Sequence, residues 1–144
     1  MKVRECMSKS VVFVSPQDTL QTAAKRMKEA DIGYLPIVNN NTIEGVITDR
    51  DIVLCGVAQG IDPSKGRVSQ CETKSVYSVS PDIDVKEAAK IMERHRVRRL
   101  PVVEGERLIG VLSVGDLARS EEAMPLSCEV LHEVVTKRSS RSRA

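Results

Sequence analysis

Apolar residues recur at helix spacing in two separate stretches of the chain. Both stretches place four apolar side chains at positions i, i+3, i+4 and i+7, which form one face of an amphipathic helix. The two stripes are Leu20, Ala23, Ala24, Met27 and, further along, Val85, Ala88, Ala89, Met92. Thr19 and Asp84 stand directly before them and are residue types favoured at a helix N-cap, and Asp84 with Glu87 makes a capping-box pair. The sequence therefore predicts helices that begin near residues 20 and 85.

Strand-like runs surround each predicted helix. A β-branched run ends at a Ser-Pro pair before each helix, at Val11–Val14 and at Val76–Val79. After each helix, two β-rich runs enclose a short polar turn, which is the pattern of a β-hairpin. The hairpin strands are residues 34–38 with 42–48 and residues 99–103 with 107–113. Thr48 and Ser113 then begin a second helix, so each set of elements reads β-α-β-β-α and the predicted fold class is α+β.

The two sets of elements are copies of one unit, 65 positions apart. Residues 3–54 align with residues 68–119 without a gap, and about 18 of the 52 aligned pairs are identical. Units of this size are marginally stable alone, so we expect the copies to share one core. The predicted boundaries are 1–55 for repeat 1, 56–67 for a linker, 68–120 for repeat 2, 121–136 for a C-terminal helix and 137–144 for a basic, disordered tail.

Charge and cysteine content narrow the functional classes. The chain has a net charge of +2, but residues 137–144 contain four cations and no acid, so the remainder is net negative. That remainder offers no basic surface for nucleic acid. The chain begins without the apolar core of a signal peptide, and no apolar run is long enough to cross a bilayer. Because the four cysteines contain no C-x-x-C pair, we expect a cytoplasmic protein with reduced thiols and no membrane association.

A hydroxyl residue and an aspartate three positions later follow the hairpin of each repeat, as Thr48 with Asp51 and Ser113 with Asp116. The free amides at a helix start favour an anion such as phosphate, and the hydroxyl can donate to the same group. The aspartate is placed to accept from both hydroxyls of a ribose. A single such pattern is more often a capping box than a ligand site. Its recurrence at the same place in both copies favours a nucleoside-phosphate pocket.

The hairpin strands would complete this pocket. Pro36 and Pro101 interrupt strand pairing and would leave backbone groups free to recognise an adenine edge. The aliphatic side chains that could enclose the base are Val14, Val79, Ile37 and Val102. These elements together predict binding rather than catalysis, and we expect no catalytic or metal-ligating residue.

These motifs strongly resemble the cystathionine-β-synthase (CBS) domain pair, also called a Bateman module. The shared pattern is L-P-h-V followed by h-x-G-h-h-[ST]-x-x-D, twice in tandem, and the resemblance covers residues 3–119. It implies a non-catalytic regulatory module without an obligatory cofactor, which binds AMP, ADP or ATP, or NAD or S-adenosylmethionine, in clefts between the repeats. It also implies a homodimer that signals to an unidentified effector protein. By position, Asp51 and Asp116 would hold ribose, while Thr48 and Ser113 would face phosphate.

The residues just before the two Leu-Pro pairs differ between the repeats and would line the clefts. Repeat 2 has Arg98 and Arg99, whose guanidinium groups suit bidentate phosphate contacts, where repeat 1 has Gly33 and Tyr34. In repeat 1, Arg50 could take over the phosphate contact. We therefore expect two sites of unequal affinity. The alternative for each arginine is a solvated basic face.

Two other functions were weighed against the regulatory module. Weak, salt-sensitive nucleic-acid binding could come from the tail at 137–144, but the chain has few aromatic side chains for base stacking. A thiol or metal enzyme would need a ligand spacing that the sequence lacks, since His95 and His132 have no metal partner at a suitable distance along the chain. The module is the preferred interpretation, and nucleic acid is not expected as a partner.

Overall fold

The computed structural model of the protein describes residues 1–74 and 76–136. The helices and strands in chain order are α1 (Leu20–Ala30), β1 (Tyr34–Asn39), β2 (Thr42–Thr48), α2 (Asp49–Asp51), α3 (Val85–His95), β3 (Arg99–Glu104), β4 (Arg107–Ser113), α4 (Val114–Arg119) and α5 (Met124–Thr136). A π-helical turn, Ile52–Val57, continues α2, and 3-10 turns cover Val3–Glu5 and Val68–Gln70. The predicted α+β fold class is confirmed. The predicted basic tail lies outside the described residues.

The chain forms two compact units, and one of them is built from two separate stretches of the chain. The repeat 1 unit is Val12–Val76, and the repeat 2 unit joins Met1–Val11 to the described residues from Tyr77 to Thr136. Each unit buries its own aliphatic cluster, centred on Leu35 in the first and on Leu100 in the second. The structure therefore differs from the single shared core that chain length led us to expect. It also groups the first eleven residues with the second repeat, whereas the sequence boundaries assign them to the first.

The first helix of each repeat begins where the sequence predicts. The Thr19 hydroxyl accepts a hydrogen bond from the Thr22 amide at 3.1 Å and caps α1. The Asp84 carboxylate accepts from the Lys86 amide at 2.8 Å and caps α3. The predicted reciprocal bond from the Glu87 side chain is not formed, because the carboxylate of Asp84 bonds one residue earlier in the turn. The predicted N-cap at Asp84 is therefore present, but the predicted capping box with Glu87 was wrong.

Both hairpins are antiparallel and nearly identical in register. β1 pairs with β2 and β3 pairs with β4, each with one irregularity after its fourth pair of residues. The predicted strand before α1 is reduced to one parallel bridge, between Val14 and Ile37, and its counterpart before α3 is a bridge between Val79 and Val102. Proline explains the difference, since Ser-Pro directly follows the bridging residue in each repeat and cannot donate to a ladder.

The first segment of each repeat pairs with the second hairpin strand of the other repeat. Ser8 and Val111 exchange two backbone hydrogen bonds in the repeat 2 unit, and Thr73 and Val46 exchange two in the repeat 1 unit. Gly110 is required at this contact, because a Cβ there would lie 2.8 Å from the carbonyl oxygen of Ser8. The glycine of the h-x-G-h-h motif therefore admits the incoming segment.

Helix α5 distinguishes the two units. It packs against α3 and α4 and buries Val130 and Val134 in the repeat 2 core. In the repeat 1 unit the corresponding surface is an open groove of about 450 Å³, here called the helical groove. Ala24 is exposed in the groove, whereas its counterpart Ala89 is fully buried. The groove is lined by Ala24, Met27, Lys28, Asp31, Ile32, Gly33, Asp49, Ile52 and Val53.

Two of the four cysteines are oxidised. Cys55 and Cys71 form a disulfide that joins the π-helical turn to the segment after the second 3-10 turn. Cys6 and Cys128 are free. The expectation that all thiols are reduced was therefore wrong for one pair, because folding brings together two residues that are distant in the sequence. Within the described residues, the helices are too short or too polar to span a membrane.

Candidate functional site

The hairpins bring together the residues that sequence analysis selected in each repeat. Tyr34 lies opposite Thr48 across β1 and β2, and Arg99 lies opposite Ser113 across β3 and β4. The carbonyl of Gly33 accepts the Asp49 amide at 3.0 Å, which fixes the start of α2 beside the residue that precedes the Leu-Pro pair. Strand pairing, rather than sequence distance, therefore builds one cluster of candidate residues in each unit.

In repeat 1 the candidate pair forms a capping box. The Asp51 carboxylate accepts from the Thr48 amide at 3.0 Å through Oδ2, and the Thr48 hydroxyl accepts from the Asp51 amide at 3.1 Å. A hydroxyl that accepts one hydrogen bond still has a proton to donate, although Thr48 is only 2% exposed. Within residues 1–74 and 76–136, the Oδ1 atom of Asp51 has no hydrogen-bond or ion-pair partner. One carboxylate oxygen is thus available in repeat 1.

In repeat 2 the same capping box is present, but the aspartate is more fully engaged. Oδ2 of Asp116 accepts from the Ser113 amide at 2.8 Å. Oδ1 accepts from the Ser8 hydroxyl at 3.1 Å and forms an ion pair with Arg119. Asp116 is 6% exposed, and its carbonyl accepts from the Cys6 thiol at 3.3 Å. Both carboxylate oxygens of Asp116 are therefore occupied.

The free thiol beside Asp116 is deactivated by its surroundings. Burial raises the pKa of Cys6 above its ordinary value, and the negative charge of Asp116 adds to the shift while Arg119 opposes it. A thiol with a raised pKa holds little thiolate near neutral pH and is a weak nucleophile. Cys6 is therefore placed as a half-buried hydrogen-bond donor.

The prolines do not leave the backbone as open as expected. The carbonyl of Pro36 accepts from the Val14 amide at 3.0 Å, and that of Pro101 accepts from the Val79 amide at 3.0 Å. Both valines are buried in their cores. The proline carbonyls are therefore not among the backbone groups expected to be free for an adenine edge, because the bridge residue before each Ser-Pro pair occupies them.

The candidate phosphate-binding arginines lie near the surface. Arg50 and Arg98 are exposed and Arg99 is half-buried. Arg119 was missed by sequence analysis, although its position three residues after Asp116 on a predicted helix is the spacing of an ion pair. Ser8 was missed because its contact with Asp116 depends on the packing of the N-terminal segment. Within the described residues, no three His, Cys, Asp or Glu side chains are grouped as a metal site.

Comparison with known proteins identifies the family. Residues 3–56 and 68–122 each match the CBS domain. The chain belongs to the CBS-domain family. This confirms the predicted resemblance and the assignment of two tandem CBS repeats.

The relatives are small CBS proteins as well as longer ones. The chain is 39% identical over 117 residues to hypoxic response protein 1 of Mycobacterium tuberculosis, covering 81% of this chain and 82% of that protein. It is 38% identical over 116 residues to the CBS domain-containing protein YhcV of Bacillus subtilis, with 81% and 82% coverage. A relative of nearly the same length shows that a CBS pair occurs without a large additional domain.

Three solved structures have the same fold. The structure of hypoxic response protein I with two coordinated zinc ions has a TM-score of 0.76 at 38% identity, covering 83% of this chain and 98% of that chain. The CBS domain pair of protein MJ0100, in complex with 5′-methylthioadenosine and S-adenosyl-L-methionine, has a TM-score of 0.74 at 26% identity, with 83% and 95% coverage. A hexameric CBS-CP12 protein from bloom-forming cyanobacteria has a TM-score of 0.74 at 30% identity, with 85% and 72% coverage.

Proposed function

We propose that this CBS protein is a non-catalytic regulatory module that binds an adenosine-containing ligand and passes the signal to an effector protein. The ligand is an adenine nucleotide (AMP, ADP or ATP) or a related compound such as NAD or S-adenosylmethionine. Ligand binding would favour one conformation of the protein and so change its affinity for the effector. The family match favours this role over nucleic-acid binding by the basic tail. A cytoplasmic location and the absence of catalysis stay predictions.

The observation that carries the proposal is the repeated cluster at the end of each hairpin. Each cluster combines a hydroxyl and an aspartate at a helix start with a strand residue directly opposite. Asp51 and Asp116 would accept from the ribose hydroxyls, and Thr48 and Ser113 would contact phosphate together with Arg50, Arg98 and Arg99. A related CBS pair binds two adenosine-containing compounds, which supports the same ligand class here.

The proposal is tested by calorimetric titration of the full chain with AMP, ADP, ATP, NAD and S-adenosylmethionine. Asp51→Ala should weaken binding of the best ligand by about 1–3 kcal/mol, because hydrogen bonds from the ribose to a charged acceptor are lost. Asp49→Ala is the matched control, since it removes the same charge two residues away on an exposed side chain. Equal affinities of Asp51→Ala and the parent would exclude Asp51 from the site.

We further propose that two copies of the chain associate through the helical groove of repeat 1. Apolar side chains in and beside the groove are exposed, including Val53 at 52%, Leu54 at 45% and Val57 at 61%. The same face of repeat 2 is covered by α5, so this surface is suited to a helical partner. Lys28 and Asp31 place both signs of charge in the groove, so two copies can present opposite charges to each other in a self-complementary two-fold contact.

A further inference from the structure

The two matched aspartates differ in what holds them. Asp51 uses one carboxylate oxygen in its capping box, and the other oxygen has no partner among the described residues. Asp116 uses one oxygen in the same box, and Arg119 and Ser8 occupy the other. A ribose that binds through this second oxygen therefore meets an open acceptor in repeat 1 and an occupied one in repeat 2.

The different engagement of Asp51 and Asp116 can be traced to two aligned positions. Leu54 stands where repeat 2 has Arg119, and Thr73 stands where it has Ser8. Leu54 has no polar atom, and it is 45% exposed. Thr73 pairs with Val46 through its backbone, and within residues 1–74 and 76–136 its side chain makes no bond to Asp51. Repeat 1 therefore has no cation in the place of Arg119, and the hydroxyl in the place of Ser8 is not bonded to Asp51.

We infer that Arg119, assisted by Ser8, competes with the ligand for Asp116 and makes repeat 2 the weaker of two adenosine-binding repeats. The inference rests on the proposed function, because it assumes that both aspartates bind ribose. Arg119 is a specificity-determining residue in this role: a ligand gains the second oxygen of Asp116 only by displacing the guanidinium. Its side chain is 71% exposed, so it can swing into solvent without disturbing the core.

The exposure of Arg119 also limits the size of the effect. An ion pair with one solvated partner is weak and is screened by salt. A ligand can therefore displace Arg119 at a small cost in binding free energy. We expect the competition to reduce affinity about two- to fivefold, the range of a single partly exposed ion pair. The two repeats would then fill in sequence as the ligand concentration rises, repeat 1 before repeat 2.

The test uses 5′-methylthioadenosine, which carries the ribose hydroxyls and no phosphate, so that a displaced arginine gains no new anionic partner from the probe. Calorimetric titration of the full chain should resolve a tighter and a weaker site. Arg119→Leu, which installs the side chain of repeat 1, should tighten the weaker site about two- to fivefold. Leu54→Arg, which installs the side chain of repeat 2, should weaken the tighter site by a similar factor.

Two controls separate competition from a structural role. Arg107→Leu removes an exposed cation from the start of β4, so it should leave both affinities unchanged. Arg119→Lys keeps a cation near Asp116 and should therefore retain the weak site. If the arginine acted only through its bulk, Arg119→Lys and Arg119→Leu would both tighten that site. Melting temperatures without ligand show whether a variant is folded.

The outcomes distinguish the inference from the proposed function. If the parent binds the probe but Arg119→Leu and Leu54→Arg leave both affinities unchanged, the inference is overturned while ligand binding stands. If neither the parent nor a variant binds 5′-methylthioadenosine or any of the five ligands named above, both are overturned. The inference is supported if Arg119→Leu tightens the weaker site and Leu54→Arg weakens the tighter one.

Discussion

Two glutamates that occur in only one of the two units create a titratable contact at Glu72. Glu72 lies beside Glu44 in the repeat 1 unit, whereas the aligned residues in repeat 2 are Met7 and Ile109. Burial, followed by the neighbouring carboxyl group of Glu44, raises the pKa of Glu72 to about 7. The folded protein therefore retains a proton on Glu72 at pH values where the unfolded chain has released it.

This pKa shift predicts a definite pH dependence of stability. Between about pH 4.5 and 7 the folded state binds more protons than the unfolded state, so the free energy of unfolding falls as the pH rises. Glu72→Gln removes this contribution. The stability of the variant relative to the parent should therefore increase from pH 4.5 to 7 and stay constant above, as measured by urea denaturation at several pH values.

Glu29→Gln, on the exposed surface of α1, is the matched control and should follow the parent at every pH. Parallel stability curves for Glu72→Gln and the parent across this range would contradict the prediction.

At the scale of elements, the disulfide closes the connection between the repeats. Cys55 follows α2 in the π-helical turn, and Cys71 lies 16 residues later against the same core. Closing a loop of this length removes chain entropy from the unfolded state, which is worth about 3 kcal/mol in the loop-entropy account. The bond therefore ties the segment around Cys71 more firmly to the rest of the repeat 1 unit.

Reduction should lower the free energy of unfolding by about 3 kcal/mol. The measurement is urea denaturation of the parent with and without dithiothreitol, together with a count of free thiols. The double variant Cys55→Ser/Cys71→Ser should match the reduced parent and be insensitive to the reductant. A parent that shows four free thiols after reduction and an unchanged denaturation midpoint would refute this prediction.

Sequence reasoning succeeded where elements are specified locally. The helix starts at Thr19 and Asp84 depend on neighbouring residues, and so do the hairpins, whose turns contain Asn40 and Gly105 at positive φ. It did not find the disulfide or the contact between Ser8 and Asp116, because both join segments that only the tertiary fold brings together. The spacing of the candidate residues was enough to identify them. It could not predict how many hydrogen bonds and ion pairs each aspartate makes in the folded protein.

At the scale of the whole molecule, the helical groove predicts self-association. The parent should sediment as a species of twice 15.9 kDa at micromolar concentration. Val53→Asp should shift it to the monomer, because a charge buried in an apolar interface without a partner is strongly unfavourable. Analytical ultracentrifugation over a range of concentrations measures both states.

Val135→Asp provides the control for this experiment. Val135 is 58% exposed on α5, outside the groove, so its substitution should leave the dimer intact. A parent that remains at the mass of one chain at every concentration would disprove the proposed association.

The exchange of leading segments limits how the protein can be divided. The repeat 2 unit includes Met1–Val11, and the repeat 1 unit extends to Val76. A cut near residue 60 would leave the N-terminal piece without the strand partner of Val46, and the C-terminal piece without that of Val111. Each piece contains the pairing segment that the other piece needs. The two pieces would therefore have to be co-expressed, and neither is a minimal domain.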